Sequence, residues 1–224
     1  MLKLYGFAAS NYFNMVKLAL LEKGVPFQTV PFHGCQNPQI LAVSPRGKIP
    51  VLETGQGFLS ETDAILDFIE ETQPGIALLP ADPFARASVR ALAKEIELYI
   101  ELPARLCYVE VFFGGRPTPE ALKAKAERDL IKGFAALKHR ARFAPYVAGE
   151  RFTLADLYFL YSVDLAVGVG KRLFDIDFLS DMSGAKALLE RLAENPNVQS
   201  VAADREAEAP AFLERVKAVG SSSR

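Results

Sequence analysis

The stretch from Ser44 to Asp63, SPRGKIPVLETGQGFLSETD, constrains the fold more than any other part of this chain. Pro45-Arg46-Gly47 has turn chemistry, and IPVLE and GFL read as short strands joined by a hairpin at Thr54-Gly55-Gln56-Gly57. Pro50 stands between two strand formers, Ile49 and Val51, where an unusual peptide geometry has a use. Ser60 followed by Asp63 reads as a capping box for a helix whose apolar face is Ile65, Phe68 and Ile69. Elements in this order offer free backbone groups beside a helix N-terminus, a grip for something small, extended and anionic.

The segments before it complete a mixed α/β unit. Leu2 and Leu4 alternate with Lys3 and Tyr5, a half-buried strand ending at Gly6. Val16, Ala19, Leu20 and Lys23 fall at helical spacing, and Gly24 with Pro26 stops that helix. Phe27 to Phe32 is a second strand, and Ile40 to Val43 has helical potential. The expected order is β-α-β-(α)-β-β-α.

Beyond LPADPFA the two-residue period vanishes. Val89, Leu92, Ile96, Tyr99 and Leu106 recur at helical steps through a segment that Pro103 should kink. Leu122, Ala126, Leu130 and Leu137 mark a second helix, and Thr153 with Asp156 forms a capping box before LYFLYSVDLAV. Further helices are expected at Ala185 to Ala193, Val198 to Asp204 and Ala211 to Val219, with a disordered GSSSR tail. The expected division is an α/β domain over residues 1–79, a linker at 80–84 and an all-helical domain at 85–220.

The 26 basic and 27 acidic residues form no long block of one sign, which argues against nucleic acid or an anionic membrane as partner. MLKLYGF lacks the apolar core of a signal peptide, and no segment approaches the ~20 apolar residues of a membrane helix. Cys35 and Cys107 match no metal or C-x-x-C spacing, and His33 and His139 stand alone. A cytoplasmic protein without a bound metal is expected.

Three features converge in the first half: the hydroxyl of Ser10 at the entrance to the first helix, Pro50 between its strand formers, and Glu61-Thr62 in the first turn after the hairpin. Together with NPQILAVSPRGKIPVLE and GERFTLADLYFLYS, these residues give a chain that resembles the cytosolic glutathione transferases over nearly its whole length. The resemblance is to bacterial members of the serine type, similar to the tau, phi and theta classes. It implies a thioredoxin-like N-terminal domain followed by an all-helical C-terminal domain, a homodimer, and glutathione as cosubstrate.

The resemblance also assigns roles. Pro50 would be cis, leaving the N–H and C=O of Ile49 to pair with the cysteinyl backbone of glutathione as an added strand does. Glu61 and Thr62, with threonine in place of the family's usual serine, would hold the γ-glutamyl end at a helix N-terminus. Lys48 would reach the glycine carboxylate. Ser10 matches the position of the catalytic serine, but AASNYFN lacks the proline those classes place next, so Asn11 is a rival for the thiolate contact. Tyr5, within the strand one residue before Gly6, reads as a core residue, and Cys35 lies away from a mixed-disulfide position. Phe7, Tyr12, Tyr99, Tyr108, Phe112 and Phe113 are aromatic candidates for a small hydrophobic electrophile, with Arg105 a candidate anion partner.

The reaction implied is conjugation of the glutathione thiolate to that electrophile. Two other functions share the scaffold: glutathione-dependent isomerisation or peroxide reduction, and non-catalytic binding or regulation. The zeta-like isomerases carry Ser-Ser-Cys at the first helix, and AASN departs from that.

Overall fold

Alternation along β1 (Leu2–Gly6) is what a one-sided sheet requires: Leu2 and Leu4 are buried while Lys3 and Tyr5 stay half-exposed. The computed structural model describes residues 1–221, with side chains to 216; the disordered tail expected at GSSSR falls outside the described side chains. Two compact units form, one from Met1–Leu78 with Asn195–Pro210, the other from residues 79–194 and the chain after Pro210.

In the first unit β1 leads through α1 (Asn11–Glu22) to β2 (Phe27–Pro31), which lies parallel to β1. A single helical turn, α2 (Pro38–Leu41), precedes the antiparallel hairpin of β3 (Val51–Thr54) and β4 (Gly57–Ser60), and α3 (Thr62–Thr72) closes the unit. The sheet order is β2-β1-β3-β4, and β1 runs antiparallel to β3, with Tyr5 opposite Val51. This is a thioredoxin-like βαβαββα arrangement. Leu4, Val51 and Leu52 from the sheet, Met15, Val16 and Leu18 from α1, and Ile65 and Ile69 from α3 are completely buried. Gly6 is required at the end of β1, because a Cβ there would lie 2.4 Å from the ring of buried Phe13.

Two polar ties complete the unit. Lys23 at the end of α1 is buried and donates to Glu70 of α3 at 3.0 Å and to Ile76 O at 2.8 Å. The last helix, α11 (Pro196–Ser221), lies along α1 over its first half: Asn195 and Asn197 donate to Glu22 at 2.8 and 3.0 Å, and Asp204 pairs with buried Lys17.

The second unit is helical, as the change of period requires. It contains α4 (Pro83–Ile96), α5 (Leu102–Arg105), α6 (Tyr108–Phe113), α7 (Glu120–Arg140), α8 (Leu154–Tyr158), α9 (Asp164–Val169) and α10 (Ser183–Ala193). α4 starts inside the expected linker because Asp82 caps Ala85 N at 2.8 Å and Pro83 occupies the first turn. The irregularity expected at Pro103 takes the form of a π turn over Glu97–Glu101, between α4 and α5. Proline offers no N–H to the Tyr99 carbonyl, and the turn widens there. That carbonyl meets α7 at Gly133, where a Cβ would lie 2.2 Å from it.

Two expectations are corrected. Ser60 does not cap α3: it is still paired with Val51 in the strand ladder, and the turn is made at Glu61, the cap residue, with no side-chain cap bond. Val198 to Asp204 and Ala211 to Val219 are not separate helices but parts of α11, which continues through Pro210. The proline lies on an exposed surface, where the carbonyl left without its backbone donor is not shut away from solvent.

Candidate active site

Strand register gathers the candidate residues at one end of the sheet. Gly6 ends β1 opposite Pro31, Val51 begins β3 opposite Tyr5, and Ser60 ends β4 opposite Val51. Ser10 and Asn11 follow β1, Pro50 precedes β3, and Glu61 and Thr62 follow β4, so all five leave the sheet at that end. The helices α1 and α3 both begin there and present the positive ends of their dipoles.

The loop from β1 to α1 is a tight turn in which Ser10 N donates to Phe7 O at 3.1 Å. Ser10 is the N-cap of α1, in an extended conformation, and its Oγ accepts from Phe13 N at 3.3 Å. Accepting with a lone pair leaves the hydroxyl proton available to a neighbouring anion. Asn11, the first helical residue, is buried. No acidic residue of α1 itself occupies its first turn.

The Ile49–Pro50 peptide is cis and Pro50 is buried, with Ile49 half-buried just outside the ladder. Lys48 is exposed beside them. Buried Ser44, which the sequence reading passed over, donates from Oγ to Lys48 O at 2.8 Å and accepts from Lys48 N at 2.9 Å. It thereby locks the Pro45-Arg46-Gly47 turn that presents Lys48, Ile49 and Pro50. The local signal was a serine before Pro-X-Gly, a residue type that bonds its own turn.

Glu61 is exposed and has φ +70 and ψ +123, a strained conformation for a residue with a side chain. Strain at this position turns the chain from β4 into α3 and puts Thr62, buried, at the first helical position. The N-terminal amides of α3 are left without a side-chain cap.

Tyr5 is not the core residue expected, because strand alternation turns it to the other face. On the half-exposed face of the sheet its hydroxyl donates to Glu53, a bond that raises its pKa, and Phe32 and Phe58 meet its ring edge-on at 5.7 and 6.0 Å. Cys107 is buried and burial pushes its thiol pKa up, while Cys35 is exposed on the loop after β2.

The aromatic candidates divide between the units. Phe7, in the first, stacks obliquely with His33 at 4.9 Å, and Tyr12 follows Asn11 on α1. In the second, Tyr108 meets Phe112 edge-on at 5.4 Å, and Tyr99 is exposed. Arg105 is tied to Glu101, a fully buried carboxylate, through Nε at 3.0 Å and Nη2 at 2.6 Å; Tyr108 also donates to Glu101 at 2.8 Å. Thr153 and Asp156 form the expected capping box: the Asp156 carboxylate accepts from Thr153 N at 2.8 Å, Thr153 Oγ1 at 3.0 Å and Val147 N at 2.8 Å. Burial pushes the Asp156 pKa up to about 6 against the effect of these three donors. Among the described residues no group of three or more His, Cys, Asp or Glu is placed to hold a metal ion, and no helix is long and apolar enough to cross a membrane.

The glutathione S-transferase N-terminal domain model matches residues 4–77, and the corresponding C-terminal domain model matches residues 105–205. A Pseudomonas putida glutathione S-transferase is 64% identical over 217 residues, covering 97% of this chain and 98% of that one. The maleylacetoacetate isomerase of Rhizobium meliloti is 31% identical over 196 residues, covering 78% of this chain and 92% of that one. Among solved structures, a Methylobacterium extorquens maleylacetoacetate isomerase with bound malonate and GSH is similar with a TM-score of 0.69 and 28% identity, covering 89% of this chain and 95% of that one. The chain belongs to the glutathione S-transferase family of enzymes.

Proposed function

We propose that this chain binds glutathione at the end of the sheet where α1 and α3 begin, and conjugates it to small electrophiles. One observation carries the reading: register and turns bring Ser10, cis-Pro50 and the strained Glu61-Thr62 step to the same edge, beside two helix N-termini. Ile49 pairs with the cysteinyl backbone, Glu61 answers the α-ammonium group, Thr62 and the α3 amides take the γ-glutamyl carboxylate, and Lys48 answers the glycine carboxylate. The thiol releases its proton to solvent, Ser10 donates its hydroxyl proton in a hydrogen bond to the thiolate, and sulfur attacks the electrophilic carbon. With an aryl halide a C–S bond forms and halide leaves with the bonding pair.

The energetics permit this. Lowering a free thiol pKa of ~8.5 by two units requires about 2.7 kcal/mol. A hydrogen bond to a charged group supplies about 1.5–3 kcal/mol, and a helix N-terminus about 0.3–1 kcal/mol.

A second reading, glutathione-dependent isomerisation, is favoured by the similarity to maleylacetoacetate isomerases over most of the chain. Against it stands Ala8-Ala9-Ser10-Asn11, which departs from the Ser-Ser-Cys run of zeta-like isomerases. Retention on immobilised glutathione, then turnover of chlorodinitrobenzene and of maleylacetoacetate, separates the readings. Conjugation supports the first and isomerisation without conjugation the second. Failure to bind glutathione refutes both and favours a non-catalytic role.

The chain is further proposed to act in the cytoplasm as a homodimer. Supporting the dimer, Leu98, Leu102, Leu106 and Val109 recur at steps of three and four residues, and each is between 39% and 50% exposed. A monomer in sedimentation equilibrium at micromolar concentration would refute this.

A further inference from the structure

The turn that delivers Ser10 is held from both sides. Its second residue, Ala8, is buried; its carbonyl accepts from Asn14 Nδ2 of α1 at 2.9 Å, and its amide donates to the carboxylate of Glu208 on α11. Asn14 and Ala8 belong to the segment around α1. Glu208 comes from a helix 200 residues further along the chain. Its bond follows, along this part of the chain, those of Asn195 and Asn197 with Glu22 and of Asp204 with Lys17. These run antiparallel to α1 from its C-terminal end to the turn before its N-terminus. The first two grip the helix. The Glu208 bond grips the backbone of the Phe7–Ser10 turn, two residues before Ser10.

We infer that Glu208 is a positioning residue for the reaction: through its hydrogen bond to Ala8 N it orients the turn so that the Ser10 hydroxyl points where the glutathione sulfur is held. The inference rests on the functional reading above. A charged acceptor on a main-chain amide is the stronger kind of hydrogen bond and is directional. Ser10 is the third turn residue after Phe7 and also the cap of α1, so a rotation of the Ala8 peptide moves its Oγ directly. Misplacement of a catalytic group by about 1 Å costs up to ~100-fold in rate. The ligand-holding residues Lys48, Ile49, Glu61 and Thr62 lie on other segments and are not moved by this bond.

The test uses three variants of the full chain, with initial rates for chlorodinitrobenzene and glutathione, and hydrogen exchange of the Phe7–Ser10 segment without ligand. Glu208→Ala removes the acceptor and should lower kcat about ten- to hundredfold while KM for glutathione stays within about threefold. Glu208→Gln loses the charge but keeps an amide oxygen as acceptor, and should recover kcat to within about threefold of wild type. Asp204→Ala breaks the neighbouring bond to Lys17 and should leave kcat unchanged. Exchange of the Ala8 amide should accelerate in Glu208→Ala alone.

Wild-type kcat in Glu208→Ala overturns the inference. So does equal impairment in Glu208→Gln, which would assign the effect to charge, or in Asp204→Ala, which would assign it to general docking of α11. A wild-type chain that neither binds nor conjugates glutathione overturns the functional reading itself. The exchange measurement then decides the Glu208–Ala8 clamp alone, supporting it if protection is lost in Glu208→Ala and overturning it if protection is kept.

Discussion

Replacing Ser10 by alanine removes two interactions at once, and their magnitudes can be separated. One is the cap: Oγ accepts from Phe13 N at 3.3 Å, a long bond. Loss of a serine cap costs about 0.5–2 kcal/mol, and this length places the cost towards the low end. The other, in the proposed site, is the hydroxyl's bond to the thiolate, about 1.5–3 kcal/mol. Only the second changes the acidity of bound glutathione. At about 1.36 kcal/mol per pKa unit, its loss raises the thiol pKa by roughly one to two units. Near neutral pH, where thiolate is then the minority species, turnover falls roughly three- to twenty-five-fold. At pH values above the raised pKa most of the loss is recovered, while glutathione affinity stays within a few-fold throughout.

The assay is the ultraviolet absorbance of the bound thiolate titrated against pH, paired with the pH profile of kcat. Ser10→Gly provides the control. Glycine at a cap costs only a few tenths of a kcal/mol relative to serine, so this variant keeps most of the stability yet lacks the hydroxyl. Both variants should show the same shift in thiol pKa and differ in urea midpoint. An unshifted thiol pKa in both would refute the hydroxyl's role and move the thiolate contact to Asn11 or to a backbone amide of α1. A shift in Ser10→Ala alone would show that the helix terminus, not the donor, had been lost.

Four further outcomes are expected. Glu61→Ala should weaken glutathione binding about tenfold or more in titration calorimetry with little change in turnover at saturation, because the α-ammonium group loses its partner; unchanged affinity would contradict the assigned register. Asp156→Ala should lower the unfolding free energy in urea by about 2–5 kcal/mol, since the buried amides of Val147 and Thr153 lose their acceptor. For wild-type Asp156 the folded pKa of about 6 lies above the reference value of 3.8, so the folded state binds more protons between those pH values. This group's contribution to stability is therefore full below about pH 4 and falls by about 3 kcal/mol as pH rises through 6, a slope that Asp156→Asn should abolish. Gly133→Ala places a Cβ 2.2 Å from the Tyr99 carbonyl and should cost about 1–3 kcal/mol in the same denaturation assay, whereas an unchanged midpoint would mean that the π turn yields.

The strands and most helices were legible because burial on one face imposes a period, and Leu2/Leu4 or Ala126/Leu130/Leu137 obey it. Hairpin chemistry was equally local: Thr54 Oγ1 accepts from Gln56 N at 3.1 Å and donates to Gly57 O at 3.0 Å, within the turn itself. The corrections arise where a local rule meets a constraint from elsewhere. Ser60 has the chemistry of a cap, but pairing with Val51 keeps it in the strand and passes the turn to Glu61. Pro210 has the chemistry of a helix stop, but an exposed backbone tolerates it. Glu101 and Glu208 were illegible for a different reason. Each looks like an ordinary helical glutamate: the i,i+4 spacing of Glu101 and Arg105 does not announce that this carboxylate is fully buried, and only tertiary structure turns Glu208 towards the Ala8 amide.

The two helix N-termini in the proposed site are unlike each other in a way that matches two parts of glutathione, its central thiol and its γ-glutamyl end. The α1 terminus has no acid in its first turn, and its cap is a neutral hydroxyl. Its own first turn therefore sets no charge against the dipole, and the Glu208 carboxylate in the preceding turn is bonded to Ala8 N, so the terminus favours a group that must become a net anion, the thiolate. The α3 terminus carries Glu61 as its cap residue and Asp63 in its first turn, while its amides lack a side-chain cap. Positive amide dipoles beside negative side chains suit a zwitterion, and the γ-glutamyl end presents a carboxylate next to an ammonium. Exchanging the two environments would serve neither: an acid beside the sulfur would raise the thiol pKa, and a bare dipole at the other end would leave the ammonium unanswered. On this argument, introducing an acid at Tyr12, in the first turn of α1, should raise the thiol pKa of bound glutathione even with Ser10 intact. A thiol pKa that stays put in Tyr12→Glu would mean that the α1 dipole contributes nothing and that the hydroxyl acts alone.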